Sequence, residues 1–285
     1  MSFANDVKQE LVGQMPNARH CRIAELAALV SFAGRYDEGI LQISGENQMA
    51  GRRFSTLVKK LFSFESGSIG KSETEQILET IKADKRLLPD MLILKQSCCK
   101  RAYLRGAFIA CGSMTDPEKD YHLEFVTDGE RAQTIIDELM SFDIEAKSVE
   151  RKKNVVVYVK DSELIVDILN VIEAHVALMD FENVRIYKDM RNSVNRRVNC
   201  ETANIGKTIT AAGRQIEDIN YLREVNGFEL LSDELKETAE LRLEYPESSL
   251  AELGRLHDRP IGRSGVNHRL ARLSEMAQLL RDSGS

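Results

Sequence analysis

The sequence predicts an α+β chain: a pseudo-symmetric domain of two related α/β halves, followed by an all-α domain that ends in a helix-turn-helix. Three observations predict it. The order helix, strand, helix occurs twice, with the copies 78 positions apart (Leu26 to Leu104), and repetition at that scale marks a duplicated unit. After Arg191 the chain turns basic, rich in Asn and poor in large apolar residues. From Gln215 onward the pattern is helical throughout. The expected divisions are 1–95 and 96–190 for the two halves, 191–214 for a basic linker and 215–285 for the helix-turn-helix domain.

In the first half, residues 2–13 read as a short amphipathic helix. A helix from about Cys21 to Phe32 follows, rich in small residues, and stops at Gly34. Ile40 to Ser44 reads as a strand and Asn47 to Leu61 as a helix carrying Arg52, Arg53, Lys59 and Lys60. Ser63 to Ser72 reads as loop, Thr74 to Ile81 as helix and Met91 to Leu94 as an apolar closing stretch. In the second half, Arg101 to Ala110 is a helix that stops at Gly112, Tyr121 to Val126 a strand, and Gly129 to Met140 a helix. A hairpin is expected next: Ile144 to Glu150, a basic turn over Arg151, Lys152, Lys153 and Asn154, then Val155 to Lys160. Val155 to Val159 is wholly β-branched or aromatic, a strong strand signal. Helices over Ser162 to Val171 and His175 to about Tyr187 close this half, and the segment 191–214 reads as a partly helical connector.

With 285 residues, 42% of them hydrophobic, the chain can bury a sizeable core. No apolar run approaches the ~18 residues a membrane span needs, and Met1 to Met15 lacks a basic-then-apolar leader. A cytoplasmic protein without membrane contact is expected. The five cysteines (Cys21, Cys98, Cys99, Cys111, Cys200) are odd in number and irregularly spaced, which argues against a disulfide framework. With no C-x-x-C pair and no His close behind a Cys pair, local spacing predicts buried reduced thiols, no metal site and no cofactor.

The net charge of −6 conceals segregation. Glu229 to Glu252 carries eight acids and two bases, whereas Arg185 to Arg214 carries seven bases and two acids. Arg259 to Arg272 carries four arginines and no acid. Affinity for nucleic acid follows the local field, so a negative total does not exclude it.

The helix-turn-helix is expected over about Ser248 to Arg281. Leu231, Leu235, Ala239, Leu241 and Leu243 mark the helix before it, ended by Tyr245-Pro246-Glu247. Ser249 and Glu252 have capping-box spacing for a short helix, broken by Arg259-Pro260-Ile261-Gly262. Ser264 is then expected to cap a helix from Gly265 to about Leu280. At 100° per residue Val266, Leu270 and Leu273 share an inward arc, with Ser264, His268, Ala271 and Arg272 opposite and Asn267 at the flank. That outer face suits the major groove: small residues admit the helix, Asn pairs with adenine and Arg with guanine. Arg259 and Arg263 are placed for phosphates, and Arg269 completes the candidate set. Arg151, Lys152, Lys153, Arg196 and Arg197 are additional candidates for DNA contact.

Two nonapeptides carry a resemblance. Leu26 to Gly34 (LAALVSFAG) resembles the LAGLIDADG signature of homing endonucleases, and Leu104 to Gly112 (LRGAFIACG) resembles a second, more degraded copy. In that family an acid at the eighth position of each copy holds the divalent metals that cut DNA. Here those positions are Ala33 and Cys111, neither of which holds Mg²⁺ usefully. The whole chain is similar to the WhiA family, a degenerate LAGLIDADG domain joined to a C-terminal helix-turn-helix. The residues that carry it are Tyr103 to Phe108, Asp116 to Lys119, Met190 to Arg196, Val198 to Asn204 and Ser264 to Leu270. The segment Phe64–Asp90 is shorter than the family pattern, which implies a smaller sheet in the first half. The resemblance implies control of sporulation genes in some bacteria, and cell division or chromosome segregation in others.

The expected function is therefore a non-enzymatic, nucleoid-associated protein that binds double-stranded DNA as a transcriptional regulator. Two other readings compete with it. A nuclease would use acids such as Asp116, Glu118 and Asp120, although loop acids are commonly turn residues. A scaffold would use the basic segment and the acidic run to bind other regulatory or division proteins. The sequence leaves the oligomeric state open.

Overall fold

The two repeat helices lie against each other in the N-terminal unit. In the computed structural model, which describes residues 2–44, 47–64 and 69–283, the chain forms two compact units, 1–189 and 190–285. Helix α1 (Phe3–Gly13) leads to α2 (Arg19–Ala33), the first repeat helix. Strands β1 (Gly34–Asp37) and β2 (Ile40–Ile43) follow, then α3 (Gln48–Phe62) and α4 (Lys71–Thr80). The second repeat helix, α5 (Ser97–Cys111), runs into β3 (Gly112–Met114) and β4 (Leu123–Thr127). Helix α6 (Gly129–Met140), the hairpin β5 (Lys147–Arg151) and β6 (Asn154–Val159), and α7 (Ser162–Val171) complete this part.

Small residues let the two backbones approach. Ala24, Ala27 and Ala28 of α2 and Ala102 and Ala107 of α5 are buried. Gly106 is the tightest point: a Cβ there would lie 2.7 Å from the Glu25 carbonyl oxygen and 2.8 Å from the Ala28 methyl. Ala28 and Gly106 are again 78 positions apart, so equivalent residues of the repeat meet at its centre.

A buried carboxylate sits beside this contact. Glu25 has no solvent exposure, and Arg53 of α3 grips it through Nε and through Nη2 at 3.0 Å. Arg105 of α5 donates to the same carboxylate at 3.2 Å and also pairs with Glu173. Arg53 further donates to the Val12 carbonyl at 3.2 Å. Glu25 thereby ties α2 to α3 and α5, its two arginines reach on to Val12 and Glu173, and removing one partner would leave charge buried without compensation.

The sheets differ between the halves. β1 and β2 form a two-stranded antiparallel pair, whereas β3, β4, β6 and β5 form an antiparallel sheet in the order 3-4-6-5. The first half does carry the smaller sheet. The periodicity missed β1 and β3: Gly34-Arg35-Tyr36-Asp37 and Gly112-Ser113-Met114 are short and have no clear alternation, so their strand state comes from pairing with β2 and β4. The expected loop over 63–72 lies partly on residues 65–68, outside the described residues, and α4 begins within it at Lys71.

Helix α8 (His175–Glu224) differs most from expectation. The Glu10 carboxylate of α1 accepts from the Val176 and Ala177 amides at 2.9 Å, capping its first turn. The segment 191–214 is helical throughout, not partly so. The boundary between the units falls inside α8, and residues 191–211 are all exposed. Its few large apolar residues are spread among Asn, Thr and Gly, which is why the segment resembled a connector.

The cysteine expectation holds for Cys21 and Cys99, which are buried, and fails for Cys98 and Cys200, which are exposed; Cys111 is half-buried.

Two substitutions test the helix contact. Gly106→Ala should lower the N-terminal unit's stability by about 1–3 kcal/mol through overpacking. Arg53→Met should cost about 3 kcal/mol by half-unpairing Glu25. Denaturant titration of the full chain, followed by far-ultraviolet circular dichroism, reads both as lowered midpoints.

Candidate nucleic-acid interface

The C-terminal unit closes around a second apolar core. Ile219 and Leu222 of α8 pack with Leu231 and with residues of α9 (Asp233–Glu244), α10 (Leu250–Leu256) and α11 (Arg263–Ser283). Ser249 accepts from the Glu252 amide at 3.3 Å while its own amide donates to the Glu252 carboxylate at 2.8 Å, so the capping box forms. Residues 257–262 make the turn. Ile261 donates its amide to the Gly254 carbonyl at 2.9 Å, and a Cβ on Gly254 would stand 2.3 Å from the Ile261 carbonyl oxygen. Only glycine permits that closeness, and the angle between α10 and α11 depends on it.

Helix α11 begins earlier than expected. It starts at Arg263, and the Gly262 carbonyl accepts the Val266 amide, so Ser264 lies in the first turn and is not the residue before it. The rotation of the helix is unaffected. Val266, Leu270, Leu273 and Ala277 are buried, whereas Ser264, Asn267, His268, Ala271 and Arg272 are exposed. Arg259 and Arg263 are also exposed, on the turn and the first residue of the helix.

Arg269 departs from this group. Its side chain is only 18% exposed and pairs with Glu234 of α9 at 3.2 Å and Glu237 at 3.9 Å. Arg272 keeps its exposure while pairing with Glu275 at 3.1 Å on the same helix. Part of the acidic run therefore holds α11 from behind, leaving the outer face to Arg259, Arg263 and Arg272. His257, between the helices, is buried, with Nε2 at 2.9 Å from the Thr238 hydroxyl and Nδ1 at 2.8 Å from the Leu253 carbonyl. Arg263 and Asn267 also border a cleft of about 410 Å³ with Lys207, which extends the basic surface onto α8.

The remaining candidates are exposed on other elements. Arg151, Lys152 and Lys153 lie at the β5–β6 hairpin turn, and β5 is a fully exposed edge strand. Arg196 and Arg197 lie on the exposed middle of α8.

The eighth positions of the two nonapeptides come together. Ala33 and Cys111, at the C-terminal ends of α2 and α5, border one cleft of about 650 Å³, together with Lys8, Asn47 and Ser44. No carboxylate lines it among the described residues. Burial pushes the Cys111 thiol up to about 12, which keeps it neutral, and burial lowers the Lys8 ammonium. Asn47 is occupied in donating to the carbonyls of Ile109 and Ala110 at 3.0 and 2.7 Å. Asp116, Glu118 and Asp120 do not converge on this cleft. Asp116 accepts from the Glu118 amide at 3.0 Å and Asp120 from the Tyr121 amide at 2.8 Å, as turn residues do.

Two family models match the chain. Residues 100–191 match the family model of the WhiA LAGLIDADG-like domain, and residues 194–277 that of the WhiA C-terminal HTH domain. The chain is 48% identical to the probable cell division protein WhiA of Lachnoclostridium phytofermentans, covering 99% of this chain and 100% of that one. It is 43% identical to the protein of the same name from a Thermoanaerobacter species, covering 99% of each. The crystal structure of full-length WhiA from Thermatoga maritima superposes with a TM-score of 0.61 at 26% identity, covering 98% of both chains.

Gly254→Ala should destabilise the C-terminal unit while leaving the N-terminal unit's transition in place. Arg269→Ala should do the same more mildly, by about 1 kcal/mol. Thermal melts of the full chain would show either effect, and an unchanged Gly254→Ala profile would contradict the turn geometry.

Proposed function

The chain belongs to the WhiA family, and from that premise we propose that it is a non-enzymatic, sequence-specific DNA-binding protein that regulates transcription. One observation carries the reading: the outer face of α11 presents Ser264, Asn267, His268 and Arg272 together, while the opposite face is buried. In a helix-turn-helix the second helix enters the major groove and its N-terminal residues meet base edges. Asn267 and Arg272 supply base-reading groups, and Arg259 and Arg263 supply phosphate contacts beside the positive helix end. Arg269 supports the helix from α9.

The degenerate LAGLIDADG domain is read as a scaffold. Two-metal hydrolysis needs carboxylates to activate water and steady the leaving oxygen, and the cleft at Ala33 and Cys111 offers a lysine and a neutral thiol instead. Arg151, Lys152 and Lys153 extend DNA contact to the hairpin edge. The relatives' name points to control of cell division, and the family resemblance adds sporulation and chromosome segregation. The reading entails a protein associated with the nucleoid in the cytoplasm. No helix among the described residues is long and apolar enough to cross a membrane.

A second reading, a scaffold for regulatory or division proteins that binds DNA weakly, draws on α8. Met190, Val194, Val198, Ile205 and Ile209 are exposed along it, interleaved with Arg191, Arg196 and Arg197. Such a face suits a protein partner.

Gel-shift or anisotropy titrations against genomic fragments separate the readings. Replacing Arg263, His268 and Arg272 together with Ala should weaken binding by about a hundredfold or more, at roughly 1–3 kcal/mol per base-reading contact. Parent affinity should fall steeply as salt rises. Unchanged affinity in the triple variant would refute the α11 assignment. Supercoiled plasmid incubated with Mg²⁺ or Mn²⁺ should stay intact, and nicking that follows the purified protein would overturn the non-enzymatic reading.

A further inference from the structure

We propose that His20, Cys21, Cys98 and Cys99 form a structural zinc(II) site that ties the two halves of the N-terminal domain together. The four donor atoms lie within 4.8 Å of one another, the one such group among the described residues. His20 Nδ1 is 3.2 Å from Cys99 Sγ, 3.4 Å from Cys21 Sγ and 4.0 Å from Cys98 Sγ. A tetrahedral zinc with ordinary Zn–S and Zn–N bonds sets its nitrogen–sulfur edges at about 3.5 Å, inside that range. Three thiolates and an imidazole are a soft donor set that selects zinc over the hard divalent cations.

The fold explains why these donors meet. His20 and Cys21 lie in the first turn of α2, and Cys98 and Cys99 in the first turn of α5. His20 and Cys98 are 78 positions apart, as are Cys21 and Cys99, the same offset that relates Ala28 to Gly106. The repeat that brings the two backbones into contact therefore brings both donor dipeptides to one end of the helix pair. Cys21 and Cys99 are buried against Ala24, Leu94, Ala102 and Tyr103, while His20 and Cys98 face solvent, which gives the metal a dry side and an entry side.

The role is structural. Four protein ligands close a tetrahedral zinc and leave no position for substrate. The site also stands about 18 Å along the helix axes from Ala33 and Cys111, at the opposite end of the helix pair from that cleft. Each thiol that binds gives up its proton to solvent, and no electron transfer is involved.

The full chain, purified in reductant without chelator, should hold one zinc per molecule by elemental mass spectrometry. Exchange into Co²⁺ should give the visible bands of a tetrahedral thiolate complex. Cys98→Ser and His20→Ala alter exposed donors, so their circular dichroism should match the parent while Co²⁺ binding weakens roughly tenfold or more. Cys200→Ser should bind as the parent does. Returning zinc to the chelated parent should raise its thermal midpoint, and this arm holds even where a variant folds poorly. Sub-stoichiometric zinc with an octahedral Co²⁺ spectrum, or parent-level binding by both donor variants, would overturn the site. So would a reduced parent whose melting does not respond to zinc.

Discussion

The close contact between α2 and α5 is the constraint on which the N-terminal unit depends. It requires a glycine at position 106, because Glu25 and Ala28 occupy the space a side chain would need. It also places Glu25 where water cannot reach it, so two arginines from different elements must neutralise it. Burying this network is costly in itself, and replacing such networks by apolar residues is often neutral or stabilising. What it supplies is definition: α3 and α5 can satisfy Glu25 only in one arrangement with α2.

The same helix pair decides what the domain can do at each end. At the C-terminal ends, where carboxylates would serve phosphodiester cleavage, the chain puts alanine, a neutral thiol and a lysine. Among the described residues, the helix contact is retained and no carboxylate lines the cleft beside it. The C-terminal unit uses a similar economy: Gly254 allows the turn, apolar residues hold the inner face of α11, and Glu234 and Glu237 fix Arg269 from behind. The charge segregation along the sequence becomes a division of labour between the two sides of one helix.

Much of this was legible in the sequence because it is periodic and local. The inward arc of α11, the Ser249–Glu252 box, the β6 strand and the paired nonapeptides depend on spacing within one element, and the structure shows each. What escaped depends on partners distant in sequence. Arg269 sits at the edge of the apolar arc of α11, and its pairing with Glu234, 35 residues earlier, holds its side chain against α9. β1 and β3 become strands by pairing. The 50-residue course of α8 was hidden because Asn, Thr and Gly dilute the sparse apolar positions of its exposed middle, Met190, Val194, Val198, Ile205 and Ile209. The donor cluster was missed for the plainest reason: its halves are separated by 76 intervening residues, and local spacing rules see only neighbours.

The central claim is that the outer face of α11 touches DNA. The most direct measurement places a photo-crosslinking side chain at position 268 on that face, and separately at position 152 on the hairpin turn, in complexes with genomic fragments selected by the protein. Efficient crosslinks to bases are expected from position 268, mapping to a shared sequence motif. Crosslinks from position 152 alone, or none from 268 in a complex that still binds tightly, would contradict it.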